Sequence, residues 1–175
     1  MSQVRSIHVC SLARLHDTVA ATGARHVVTL INVATPVARP SAIAESNHLF
    51  IGINDIVEEM PGFVAPGEAH VARLLDFVRA WHAEREAPLV VHCWAGISRS
   101  TAAAFTTVCA LAPARDELEI ALALRAASPT ATPNLRIVRH ADALLGRRGR
   151  MVAAIEAIGR GIESPEGAPF SLSLD

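Results

Sequence analysis

Val90-Val91-His92-Cys93-Trp94-Ala95-Gly96-Ile97-Ser98-Arg99-Ser100 is an apolar strand that runs into a cysteine, with an arginine six residues further on. A helix-compatible run, Ser100 to Ala112, follows it. A buried strand, a short turn containing Gly96 and then a helix is the local grammar of an α/β crossover. Ligands in such folds sit beyond the carboxyl end of the strand, in front of a helix N-terminus. The backbone amides of Trp94, Ala95, Gly96, Ile97, Ser98 and Arg99, curled around one centre, make a concave anion site, and the Arg99 guanidinium grips two oxygens of the anion. The same field favours Cys93 as a thiolate nucleophile.

Spacing alone carries little of this reading. Cys109 is also followed by an arginine six residues later, Arg115. That second copy has no glycine, and Pro113 lacks the N–H an anion cradle requires. It reads as structural. The copy at Cys93 has the strand before it, the glycine within it and the helix after it.

The chain has 175 residues, 51% of them hydrophobic, and a formal charge of -1, which suits one globular domain with a full core. We read residues 1–160 as that domain and residues 161–175, with Pro165, Gly167 and Pro169, as a flexible tail. No apolar stretch approaches the ~18 residues of a membrane span. Met1–Ser6 lacks a secretory core, so a cytoplasmic location is expected. The 3 cysteines match no disulfide framework or zinc ribbon, and none of the 8 histidines forms a metal-binding motif. Cys10 and Cys109 read as buried small apolar residues, although a reversible disulfide to Cys93 is open to either. All 16 basic residues are Arg, which excludes a Walker phosphate loop, a pyridoxal Schiff base and lysine nucleophiles. The near-neutral charge argues against nucleic acid as a partner.

Strands are expected at Ser6–Cys10, His26–Val33, Leu49–Ile53 and Pro88–His92. A helix within Ser11–Gly23 is capped by Ser11, and a longer one covers about Glu68–Glu84. Beyond Ser100 the pattern is helical: Ser100–Leu111, Arg115–Ala127, Asn134–Leu145 and Arg150–Ile158. Strands alternating with helices, then helices alone, predict an α/β fold with a central, mostly parallel sheet of four to five strands flanked by helices.

The loop resembles the signature of the protein tyrosine phosphatase superfamily, His-Cys-x-x-Gly-x-x-Arg-Ser, met here by His92, Cys93, Gly96, Arg99 and Ser100. Within that superfamily the chain is similar to the compact dual-specificity-like branch and to small bacterial proteins with the same loop and a Gly146–Met151 stretch like this one. Val28–Asn32, the acidic loop after the third strand, and Pro133-Asn134 extend the match over about Ile7 to Leu145.

The resemblance implies a three-layer phosphatase fold and metal- and cofactor-free hydrolysis through a phosphocysteine on Cys93. In it Arg99 and the loop amides bind phosphate, Ser100 assists departure of the thiolate, and His92 supports the loop. It places the general acid just after the third strand, at Asp55, with Glu58 and Glu59 as the alternatives further along the same loop. The substrate is a phosphorylated protein or a small phosphomonoester. The loop residues Trp94, Ala95, Ile97 and Ser98 add no positive charge, which disfavours a highly charged inositol phosphate.

Two rival functions use similar parts. Arsenate reduction or sulfur transfer also employs a cysteine in an arginine-bearing anion loop, and a phosphate-binding pseudophosphatase normally lacks the cysteine or the arginine. Arg147, Arg148 and Arg150 read as a solvated helix start rather than a substrate contact.

Overall fold

The computed structural model describes residues 6–84 and 86–175. Its five strands are β1 (Ser6–Ser11), β2 (His26–Ile31), β3 (His48–Gly52), β4 (Leu89–Cys93) and β5 (Phe170–Ser173). They form one sheet in the order β3-β2-β4-β1-β5, in which β1 to β4 are parallel and β5 is antiparallel. Leu89-Val90-Val91-His92-Cys93 has no charged residue and is buried throughout, as a central parallel strand must be.

Alternation persists inside these buried strands and divides the core. Ile7, Val9, Val28, Leu30, Leu89 and Val91 face the larger cluster, beneath α2 (Glu68–Glu84), α3 (Arg99–Leu111), α4 (Glu117–Ala127), α5 (Leu135–Leu145) and α6 (Arg150–Ile158). Cys10, Val27 and Val90 face a smaller cluster with Leu15 and Val19 of α1 (Leu15–Thr22). Hence the three layers are unequal, five helices on one face and one on the other.

The expected elements are present, with shifted ends. β2 stops at Ile31 because Asn32 accepts from the Thr35 amide and hydroxyl in a turn. Ser11 caps a 3-10 turn, Leu12–Arg14, before α1 begins, and Gly23 ends α1 in the left-handed region.

Residues 161–175 depart from expectation. They are not loosely held: Phe170–Ser173 pairs with Ser6–Val9 and covers the outer edge of β1. The Arg115 guanidinium also donates to the Ser173 carbonyl at 2.9 Å. Four strand residues among prolines and glycines carry too little local pattern to show a pairing made across the whole chain. The reading of the N-terminus falls on residues 1–5, outside the described residues. Among the described residues, no helix is long and apolar enough to cross a membrane.

Candidate active site

β4 delivers Cys93 to the carboxyl edge of the sheet, and α3 starts at Arg99 with its N-terminus facing back over the cysteine. Between them the loop carbonyls point outward and are held by distant chain segments. Trp94 O accepts from Leu12 N at 3.1 Å, Ala95 O from Gly167 N at 2.9 Å, Ile97 O from Thr132 N at 2.9 Å and Ser98 O from Asn134 N at 3.2 Å. Cys93 O faces the His92 Nδ1 at 3.2 Å.

In a trans peptide the C=O of one residue and the N–H of the next are opposed. Five outward carbonyls therefore turn the amides of Trp94, Ala95, Gly96, Ser98 and Arg99 toward the loop centre. Gly96 is required there twice over. Its φ is +71°, and a Cβ would lie 2.8 Å from the Cys10 carbonyl carbon and 2.9 Å from the Ser11 nitrogen.

Arg99 is 7% exposed. Its Nη1 donates to the Ile53 carbonyl at 2.9 Å, which fixes the guanidinium, while its buried Nε has no partner among the described residues. A buried, unpaired cationic donor at the mouth of an amide-lined loop is shaped for an anion. Ser100 Oγ lies 3.1 Å from Cys93 Sγ, within reach to donate to a thiolate. Burial pushes the Cys10 thiol up to about 11 and the Cys109 thiol up to about 12, so both stay protonated.

Behind the loop His92 is fully buried, and burial lowers its pKa to about 4 despite the hydrogen bond to the Cys93 carbonyl. Its tautomer follows from its partners. A carbonyl only accepts, so Nδ1 carries the proton, and the neutral Nε2 accepts from Thr29 Oγ1 at 2.7 Å. The Thr29 oxygen in turn accepts from His48 Nε2 at 2.8 Å. The result is one directed chain from His48 through Thr29 and His92 to the Cys93 carbonyl.

Asp55 stands two residues beyond Ile53, the residue whose carbonyl holds Arg99. Its Oδ1 accepts from Ser98 Oγ at 2.7 Å and from Asn134 Nδ2 at 2.9 Å, and Oδ2 has no partner among the described residues. Ser98 is the N-cap residue of α3, yet its hydroxyl is committed to Asp55, so the first amides of α3 stay uncapped by it. Asn134 caps α5 through Oδ1 and uses Nδ2 to hold Asp55 and the Ile56 carbonyl. Of the alternatives, Glu58 lines a groove together with Asp55, Ile97 and Ser98, and Glu59 pairs with Arg136 at 3.2 Å.

Sequence reasoning brings Cys93, Arg99, Ser100, His92 and Asp55 to one place, together with Trp94, Ala95, Gly96, Ile97 and Ser98. It misses Thr29, His48 and the anchoring roles of Asn134, Arg136 and Gly167. Arg136 holds the loop after β3 by donating to the Pro66 and Val57 carbonyls. Only Pro133-Asn134, a helix-start signal, hinted at any of these.

The expectation for the basic cluster is corrected. Arg147 is 9% exposed and pairs with buried Glu117 at 3.0 Å while also donating to the Cys109 carbonyl. Burial alone would raise the Glu117 carboxyl, but hydrogen bonds from Arg150 and Arg147 override it and hold it below the usual range. Arg148 and Arg150 remain exposed, but Arg150 joins buried Arg147 in neutralising a carboxylate inside the helical layer.

The family model for protein-tyrosine phosphatase matches residues 61–128, which include the whole loop. No curated protein matches the chain in sequence. Among solved structures the fold is similar to DUSP15, at 17% identity and a TM-score of 0.63, covering 90% of this chain and 94% of that one. It is similar to human DUSP28, at 18% identity and a TM-score of 0.62, with coverages of 81% and 89%. It also resembles PTPMT1 in complex with PI(5)P, at 14% identity and a TM-score of 0.60, with coverages of 87% and 93%. The family match lies across the cysteine loop, and the sheet and helical layer share their fold with the dual-specificity phosphatases, so the chain is similar to the protein-tyrosine phosphatases both in its loop and in its fold.

Proposed function

We propose that the chain hydrolyses phosphomonoesters, with Cys93 as nucleophile, Asp55 as general acid and base, and Arg99 with the loop amides as the phosphate cradle. The observations that support this most directly are the five loop carbonyls held outward, the buried Arg99 Nε without a partner among the described residues, and the Cys93 sulfur beside Ser100 Oγ. A phosphoryl dianion accounts for all three at once.

In the first step the Cys93 sulfur bonds to phosphorus, the bond from phosphorus to the leaving oxygen breaks, and that oxygen takes a proton from Asp55. In the second step water attacks phosphorus and gives a proton back to Asp55. The S–P bond then breaks, and Ser100, 3.1 Å from the sulfur, donates to the departing thiolate. Arg99 and the amides meet the equatorial oxygens in both steps. Substrates are phosphorylated proteins or small phosphomonoesters.

The test is hydrolysis of p-nitrophenyl phosphate in the presence of a chelator. Cys93→Ser is expected to abolish turnover and keep phosphate binding. Asp55→Asn is expected to lower kcat by roughly 10²–10⁴ and remove the basic limb of its pH profile. Turnover that needs a metal, or that survives Cys93→Ser, refutes the proposal. Reduction of arsenate with a thiol donor identifies the rival reductase.

A further inference from the structure

A groove of about 1000 Å³ opens beside the loop, and Cys93 is not among the residues that line it. It is lined by Ile97 and Ser98 of the loop, by Asp55 to Glu58 and by Thr132 to Leu135. Arg160 to Pro165 complete the lining, and all of these but Arg160 belong to the segment that composition alone reads as a tail.

This wall is built. Gly161 N donates to Thr132 Oγ1 at 3.1 Å and Ile162 N to the Pro129 carbonyl at 2.9 Å. Arg125 holds the approach to it, donating to the Ile158 and Gly159 carbonyls, both at 2.9 Å. A side chain on Gly161 has no room, since a Cβ would lie 2.6 Å from the Thr130 oxygen. The side chains that the wall offers to the groove are solvated: Ile162 is 68% exposed, and Val57 and Met60 of the same lining are 43% and 48% exposed.

We propose that Arg160–Pro165 is a specificity wall for the part of the substrate beyond the phosphate, and that the groove takes a phosphopeptide with basic and apolar residues beside the phosphorylated one. The proposal rests on the phosphatase reading above. Besides the general acid Asp55, Glu58 and Glu163 set two carboxylates against the single guanidinium of Arg160, so the groove repels an additional anionic group and attracts a cation. Its apolar side chains alternate with these charges, which suits a peptide with mixed side chains better than a uniform lipid tail. No aromatic ring lines it to stack on a nucleobase.

The experiment compares kcat/KM of the full chain on matched phosphopeptides carrying Arg or Glu on either side of the phosphoresidue. A soluble short-chain phosphoinositide and p-nitrophenyl phosphate are measured alongside. The Arg-flanked peptide is expected to exceed the Glu-flanked one by roughly tenfold, and both to exceed the phosphoinositide. Glu163→Arg is expected to shrink that ratio by roughly threefold or more while p-nitrophenyl phosphate turnover is unchanged. Ile162→Ala is expected to lower kcat/KM for a peptide with an apolar flank alone. A peptide preference that neither variant alters, or a preference for the phosphoinositide, overturns the specificity wall and leaves the phosphatase reading standing. Failure of the parent chain to hydrolyse p-nitrophenyl phosphate overturns both.

Discussion

Thr29 carries a single hydroxyl proton and touches two imidazoles, so its replacement is informative. In Thr29→Val the His92 Nε2 becomes a buried acceptor without a donor, at a cost of about 1–3 kcal/mol in stability. His92 then holds the Cys93 carbonyl less firmly, in a field that also contains His48, Arg99 and His16. The rate at which iodoacetate alkylates Cys93 at fixed pH and kcat/KM on p-nitrophenyl phosphate are both expected to fall, and Thr29→Ser to restore them. A purely structural threonine lowers the melting temperature and leaves both rates in place. At this scale the sequence was readable where chemistry is local: Cys93, Gly96, Arg99 and Ser100 lie within eight consecutive positions. Thr29 lies 63 residues from His92, in a strand where a threonine is unremarkable, and only the pairing of β2 with β4 brings them together.

Among the elements, the segment after α6 changes most between expectation and structure. Gly167 is buried against the loop, its amide on the Ala95 carbonyl, and a Cβ there would stand 3.0 Å from the Gly96 oxygen and 3.3 Å from Ile97 Cγ1. Nearby, Ser11 donates to Glu166 at 2.5 Å, tying the same segment to the end of β1. Gly167→Val forces the segment off the loop and frees the Ala95 carbonyl. We expect kcat/KM on p-nitrophenyl phosphate to fall by roughly tenfold or more and inhibition by inorganic phosphate to weaken in parallel, with most of the melting temperature retained. Gly167→Ala is expected to fall between the two. Equal phosphate affinity in Gly167→Val and the parent chain rules this role out. Helices and parallel strands were legible because their periodicity is repeated over many residues. The strap was not, since its evidence consists of single hydrogen bonds to segments far away in the chain.

For the molecule as a whole, burial sets the response to acid. Folded His92 stays neutral down to about pH 4, whereas in the unfolded chain it takes up a proton near the ordinary 6.5. Between those limits the unfolded state binds more protons, so stability rises with pH there, and His92 contributes nothing to the slope above 6.5. About 3 kcal/mol is lost on acidification from 6.5 to 4 through this residue. His8, His26, His48 and His70 are lowered by burial in the same direction and add to the trend. Thermal melts between pH 7.5 and 4.5 are expected to show a falling midpoint, with a shallower slope in His92→Asn. Equal slopes in the two proteins exclude His92 as a source.

Three chain segments hold the loop carbonyls, donating from Leu12, from Thr132 and Asn134, and from Gly167, and together they nearly span the polypeptide. Contacts so far apart in sequence close late in folding. The consequence is kinetic: during synthesis no catalytic loop is complete until residue 167 has left the ribosome, and in refolding, activity returns with the last docking event and not with the collapse of the core. Enzymatic recovery in a refolding experiment is therefore a clock for the final step, slower than the change in helical signal.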